Sequence, residues 1–395
     1  MAVIRKLAVL ATHPVQYQCP LWASVSRSGD LKLKVFFGSD FSIRGYTDTD
    51  FTTHVAWNRE LLQGFDYAFT GDESLHPLLF RAGKSLYDAL DAYQPTDVLL
   101  NAYMPLFYWQ GLRWARQNRV RVHFRGDTTD VDRRRGLLAG LLRNLVLDHF
   151  YAQVNSFCAV GRNSRAHYLA RGIAAHRITE SPFCVDTMAI ERLYEKSSRC
   201  RSELRSALGL KDSDFVLVFS GKLIDKKDPL TLVKAIATLP SVGRRVVKLV
   251  VMGDGPLRQQ CELAARNQCG GRVLFVGFKG QSDLGSVYGA ADALVLPSVR
   301  SETWGLVVNE ALQFGIPCIV SDRVGCKDDL IIEGRTGEIF PHGNVYELRA
   351  AILRLMSWLD GHERAVADQC RQAISCNTLD TAASGIIAAV LTHHG

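Results

Sequence analysis

Residues Ser301–Asp322 read SETWGLVVNEALQFGIPCIVSD, directly after the run ADALVLPSV and Arg300. The earlier run has the look of a short buried strand ended by Pro297, NEALQFG that of a helix closed by Gly315, and PCIVSD that of the next strand. Strand, loop, helix, strand is a βαβ unit, and such sheets bind ligands beyond the carboxyl ends of their strands. Glu302 then lies on the loop over that edge and Glu310 about one turn into the helix, so both can face one ligand. The backbone from Gly305 through Leu306 to Val307 offers N–H groups at a helix N-terminus, which suits a phosphate. Carboxylates flanking an anion site accept hydrogen bonds from hydroxyls, as a sugar or ribose would offer. Acidic residues near a helix start also arise for dipole reasons alone. The stretch by itself therefore leaves solvated charge open beside a ligand role.

At 395 residues the chain exceeds one ordinary core, and two domains are expected. Its 47% hydrophobic and 22% charged content describe a soluble globular protein, and its net charge of +7 favours anionic partners. Ten cysteines are scattered from Cys19 to Cys376 with no CxxC pair and no metal-ligand spacing. That pattern points to a reduced, cytoplasmic protein with mostly buried thiols. No apolar run approaches the roughly 20 residues needed to span a bilayer. The N-terminal MAVIRKLAVLATHP reads as a first buried strand, not a signal peptide.

The first half alternates KLAVLA, KLKVFF, TDVLLN and VRVHF with helical or polar stretches, the pattern of a parallel doubly wound sheet. A polar, charged passage follows, and a second alternation then begins: FVLVFSG, KLVVMGD, RVLFVGF, ALVLPS, PCIVSD, GEIF. The expected division is a first domain over 1–190, a linker with a short helix over 191–213, a second domain over 214–370 and a helical tail over 371–395. The fold class is α/β.

In FSGKLIDKKDPLTLVKAI a strand runs through a loop into a helix. Lys222 follows Gly221 at the strand's end and Lys227 precedes the helix, so both can neutralise a diphosphate and stabilise it as a leaving group. Lys226 is assigned to solvent. In VVMGDGPLRQQ, Gly253, Gly255 and Pro256 make a tight turn without the third glycine of a dinucleotide fingerprint, and the first strand leads into THPVQYQ with no glycine. A nicotinamide oxidoreductase is disfavoured.

Taken in order, GKLIDKKDP, VVMGDGP, VLFVGF, VYGAADALVLPS, SETWGLVVNEAL, VGCKDDLI and GRTGEIF resemble the nucleotide-binding half of the family-4 retaining glycosyltransferases, over about residues 215–345. The resemblance implies a GT-B fold: two Rossmann-like βαβ domains facing across a cleft, with the C-terminal helix returning to the first. It implies that Glu302 contacts the donor sugar's hydroxyls, Glu310 the ribose, and Lys222 and Lys227 the diphosphate. The family more often has arginine at the first basic position, so Lys222 keeps the charge without the bidentate fork. Gly221, Gly253, Phe278, Thr303, Trp304, Gly305, Leu306 and Val307 would complete the donor site.

The first domain resembles the family more loosely, through FCAVGRNSRAHYLARGI and ITESPFCVD. Where the family has a glycine-rich first loop, this chain has ATHPVQYQCP, and HFRGD puts Arg125 where the family has a histidine. His123, within the strand, is assigned to the core. His13, Gln16 and Asp127 are acceptor-side candidates because they follow strand ends, and Arg125 is expected to bind an anionic acceptor or the donor phosphate.

Two DxD triplets, Asp48-Thr-Asp50 and Asp130-Val-Asp132, follow no strand end directly and are assigned to loops, so no metal and no cofactor are expected. The run DRRRGLLAGLLRNLVLDHFY joins three arginines to a leucine-rich helix. It fits either an ordinary helix covering the sheet or a peripheral contact with the inner face of a membrane carrying a lipid-linked acceptor. The six Trp and twelve Tyr form no stacking pattern for nucleic acid.

The function expected is transfer of a sugar from a nucleotide diphosphate sugar, UDP favoured, to the hydroxyl of a glycan, lipid-linked or small-molecule acceptor. The alternatives are a nucleotide-sugar epimerase or phosphorylase on the same fold, or a non-catalytic sugar-nucleotide sensor.

Overall fold

The computed structural model describes residues 4–48, 53–55, 59–71, 84–130, 137–240, 245–300 and 302–392. It divides into two units, one of residues 1–46, 54–184 and 377–395 and one of residues 47–53 and 185–376.

The first unit is built on a seven-stranded parallel sheet: β1 Arg5–Ala11, β2 Leu31–Phe37, β3 Asp66–Phe69, β4 Asp97–Leu100, β5 Arg121–Phe124, β6 Ser156–Ala159 and β7 Ile178–Glu180. Its order is β3-β2-β1-β4-β5-β6-β7. From Leu7 onward β1 is buried, as expected for a central parallel strand covered on both faces. Helices α2 Lys84–Tyr93, α3 Leu106–Gln117, α4 Leu137–Tyr151 and α5 Arg162–Ala170 cover one face, packing Leu90, Phe107, Phe150 and Tyr168 onto the sheet. Helix α1 Cys19–Arg27 covers the other face together with the C-terminal helix Leu379–Leu391, whose Leu379, Ile386 and Val390 join Leu7, Val9 and Trp22. The last helix thus returns to the first unit.

Three of these strands were not recognised as strands in the sequence: β3, β6 and β7. The first is a mostly exposed edge strand, and the other two are four and three residues long. His123 is buried in β5, with Nε2 2.9 Å from Asp97 Oδ1 and Nδ1 2.7 Å from Ser156 Oγ. Arg5 and Arg121 donate to the same Asp97 carboxylate at 2.9 Å each. The histidine is a core residue whose neighbours satisfy both ring nitrogens.

The second unit repeats the topology with six parallel strands: β8 Phe215–Ser220, β9 Val247–Met252, β10 Val273–Gly277, β11 Ala293–Leu296, β12 Cys318–Ser321 and β13 Gly337–Phe340, in the order β10-β9-β8-β11-β12-β13. The sheet order reverses between β8 and β11, the crevice where such sheets place ligands.

The stretch expected as a linker over 191–213 is mostly helical and belongs to the second unit. Helices Thr187–Ser198 and Arg201–Ala207 fill it. Their polar appearance misleads because the arginines have partners inside the fold. Arg205, buried, donates to the carbonyls of Ala290 and Asp212 at 3.0 and 2.7 Å and to Asp292 at 2.7 Å. All ten cysteines are free thiols, eight of them buried.

Candidate functional site

At the carboxyl edge of the second sheet the loops touch backbone to backbone. Gly221 follows β8 at φ +150°, and a Cβ on Gly253, after β9, would stand 1.9 Å from the Gly221 carbonyl oxygen. Phe278 follows β10 at this edge. Lys222 passes into the turn Asp225–Lys227, and Asp228, at φ +48°, caps the next helix by accepting from Thr231 N at 3.3 Å, with Pro229 in the first helical position. That turn carries Lys227 Nζ onto Glu302 Oε2. The same oxygen accepts from Ser298 Oγ at 3.0 Å, and Val299 N donates to Lys226 O at 2.9 Å, tying the loop after β8 to the loop after β11. Burial works against ionising Glu302, but the charges of Lys227 and Lys226 and the hydrogen bonds from Lys227 and Ser298 outweigh it. Its carboxyl therefore sits below the ordinary range and is a carboxylate at neutral pH.

The helix after β11, Leu306–Gln313, begins at Gly305, which adopts φ +102° and ψ +63°. A Cβ there would meet Leu296 Cδ2 at 2.9 Å and Val324 Cγ1 at 3.2 Å, so the helix start is pressed onto the end of β11. From the other side Gly325 donates its N–H to Glu302 O at 2.9 Å, and a Cβ on it would stand 2.0 Å from Thr303 O. Trp304 is buried, with Nε1 donating to Asn309 Oδ1 at 2.8 Å, which makes it an anchor of the loop. The amides of Leu306 and Val307 open the helix and have no partner within it.

Glu310 lies one turn on, half-buried. Tyr288, fully buried, donates its hydroxyl to Glu310 Oε2 at 2.9 Å and also bonds the Ser220 side chain at the end of β8. Burial pushes the Glu310 carboxyl up to about 7, only partly offset by the Tyr288 hydrogen bond. Tyr288 and Ser298 were missed in the sequence. Tyr288, in VYGAAD, precedes β11 and serves Glu310 across that strand, whereas Ser298, in LPS, lies on the same loop as Glu302, four residues before it.

The first unit has its own carboxyl edge. His13 follows β1, with Nδ1 3.0 Å from Thr12 Oγ1 and its ring 4.5 Å from Phe41. Burial lowers its pKa to about 4, so the ring is neutral at pH 7. Tyr17 packs edge-on against Phe183, and burial together with the charge of Asp127 raises its pKa to about 12. Gln16 lies beside it in the same loop, and Asp127 follows β5.

Arg125 departs from expectation. It is buried, Nε donates to Ser181 Oγ at 2.8 Å, Nη2 donates to the carbonyls of Ser181 and Pro182 at 3.1 and 3.2 Å, and the guanidinium lies 5.4 Å from the Phe183 ring. These bonds hold the loop after β7. Asn101, directly after β4, has both side-chain amide atoms buried without a partner. In the sequence it is legible only as the end of the run TDVLLN.

Asp130 is tied to Arg143 Nη1 at 2.9 Å and His167 Nδ1 at 2.5 Å. Asp50, Asp132 and Arg133–Arg135 lie outside the described residues, as does Ser301.

The fold and site define a protein of two Rossmann-like units whose second unit carries a glycine-backed helix start beside a lysine–glutamate pair. Residues 201–367 match the family model described as glycosyl transferases group 1. The chain is 34% identical over 189 residues to the D-inositol 3-phosphate glycosyltransferase of Actinosynnema mirum, covering 45% of this chain and 42% of that protein. It spans less than half the length of the curated relatives it matches. Among solved structures, a glycosyltransferase from Rickettsia africae superposes over 99% of both chains with a TM-score of 0.74 at 13% identity. Anabaena HepE in complex with UDP superposes over 98% of this chain and 99% of that chain, with a TM-score of 0.73 at 17% identity. These superpositions show the fold of two Rossmann-like domains found in GT-B glycosyltransferases, over 98–99% of this chain.

Proposed function

We propose that the protein transfers a sugar from a nucleotide diphosphate sugar, with UDP favoured, to an acceptor hydroxyl in the cytoplasm, retaining the anomeric configuration. The observation that carries the reading is the Lys227–Glu302 pair beside the Gly305 helix start at the switch point of the second sheet. Lys222, Lys227 and the amides of Leu306 and Val307 receive the diphosphate. As Lys227 turns to phosphate, Glu302 is released to accept hydrogen bonds from the sugar's hydroxyls. Glu310 accepts from the ribose. The bond from the anomeric carbon to the diphosphate breaks, the acceptor oxygen bonds that carbon on the same face, and the departing phosphate oxygen takes the acceptor's proton. The positive field comes from lysines and backbone, so the reaction needs neither metal nor cofactor.

HepE binds UDP, which supports the donor class, and the Actinosynnema relative's name supports a hydroxyl-rich, sugar-type acceptor. The test is nucleotide release from UDP-, GDP- and ADP-sugars with and without a panel of glycan, lipid-linked and polyol acceptors, with the product anomer read by NMR. Acceptor-dependent release of UDP with retained configuration is expected. Interconversion of the nucleotide sugar without acceptor, or binding with no turnover on any acceptor, overturns the reading.

A further inference from the structure

We propose that the first unit docks on an anionic lipid surface through the amino-terminal half of α4. Leu138, Leu141, Leu142 and Leu145 are 83, 60, 65 and 67% exposed. Their spacing of three, four and seven residues places them on one helix face. The helix is fixed by its other end, where Leu147, Phe150 and Tyr151 are buried in the core. Its rotation is fixed by Arg143, which donates to Asp130 and to the Thr129 carbonyl. Four large side chains grouped this way on a folded surface mark an interaction site and not the scattered exposure of an ordinary helix.

Charge identifies the occupant. Between Asn101 and Arg177 the sequence has thirteen arginines against four aspartates, a net of +9 that exceeds the +7 of the whole chain. No acidic residue occurs from Arg133 to Leu147. Arg113 and Arg116 on α3, Arg119 in the turn just after it and Arg162 on α5 are exposed, and these helices cover the same face of the sheet as α4. An apolar stripe within a basic field is the pattern of a helix lying in the headgroup layer of an anionic bilayer. A second copy seated on this face would bring two such basic fields together, so like charges oppose a symmetric dimer there.

Helix α4 crosses back from the carboxyl end of β5 to the amino end of β6, so its exposed leucines lie at the carboxyl edge that carries His13 and Asp127. If the transferase reading holds, that edge meets an acceptor presented at the bilayer surface. The docking itself does not rest on that reading.

The test is co-sedimentation of the full chain, without donor, with phosphatidylglycerol-containing and with pure phosphatidylcholine vesicles, beside sedimentation velocity without lipid. Binding to the anionic vesicles alone is expected, weakened about tenfold or more by Leu138→Glu/Leu142→Glu, by Arg113→Glu/Arg116→Glu and by raised salt. Leu138→Ser/Leu142→Ser should weaken it in the same direction, and unchanged melting temperatures show that each variant is folded. Absence of binding to anionic vesicles, equal binding to both vesicle types, binding unaffected by the leucine pairs, or a lipid-free dimer that the leucine pairs dissolve overturns the proposal. Nucleotide-sugar binding, measured separately, tests the transferase reading on its own.

Discussion

Lys227 and Glu302, 75 positions apart in sequence, form an ion pair in which the carboxylate also accepts from Ser298. The cation assigned to phosphate is therefore neutralised by the carboxylate assigned to sugar until a ligand separates them. Glu302→Ala should abolish most turnover with a nucleotide sugar. Bare nucleotide affinity should hold or rise, because Lys227 loses its internal partner. Calorimetry with the nucleoside diphosphate beside steady-state kinetics checks this, and a large loss of nucleotide affinity in the variant contradicts it.

Glu310 has a pKa near 7, raised by burial, so its role in binding should be visible in pH. As an acceptor of ribose hydroxyls the carboxylate must be ionised. Affinity for a nucleotide sugar, whose diphosphate has no proton to lose in this range, should strengthen several-fold from pH 5.5 to 8.5 and flatten in Glu310→Gln. Stability runs the other way. From the ordinary carboxylate range up to about pH 7 the folded protein keeps a proton that the unfolded chain has released, so stability falls as pH rises through that window. Melting temperatures of wild type and Glu310→Gln should diverge across it, and parallel profiles would remove Glu310 from both effects.

Arg125 holds the Ser181–Phe183 loop through three hydrogen bonds from its buried guanidinium. Removing it strands buried acceptors and leaves a void, so Arg125→Ala should cost about 2–4 kcal/mol of stability. Arg125→Lys should recover little of this, because an ammonium cannot reproduce the planar fork. Denaturant unfolding of both variants measures it. A fully stable Arg125→Ala with a raised acceptor KM would return the residue to an acceptor role.

What could be read from the sequence follows the length and regularity of each signal. The second sheet is made of continuous apolar runs such as FVLVFS and ALVL, each punctuated by glycine or proline, and its edge residues were therefore placed at strand ends in advance. The first unit offered less: β6 and β7 are short, and β3 is an exposed edge. The bonds of Arg125 to Ser181 and Pro182 were not legible, because a strand-end arginine looks the same in sequence whether it faces a ligand or a carbonyl-lined loop. The span 191–213 was read as linker because the arginines of helix Arg201–Ala207 find their partners far along the chain, Arg201 and Arg205 both on Asp292. Tyr288 escaped notice because support of a functional carboxylate from a neighbouring element has no sequence spacing of its own, and Ser298 because a loop serine four residues before a glutamate looks the same whether it bonds that carboxylate or water.

The acidic triplets remain to be tested against metal. A divalent ion held by Asp130 and Asp132 would require Asp130 to leave Arg143 and His167, which it holds at 2.9 and 2.5 Å. Burial disfavours the charged form of Asp130, yet the hydrogen bonds and charges of Arg143 and His167 prevail and keep its carboxyl below the usual range. Asp130→Asn should accordingly cost about 1 kcal/mol of stability, read as a lowered melting temperature, with little change in turnover. Turnover should also survive EDTA. Loss of activity in EDTA that Mn²⁺ or Mg²⁺ restores, together with an inactive but stable Asp130→Asn, would make the triplet a metal site and replace the lysine-based account of leaving-group stabilisation.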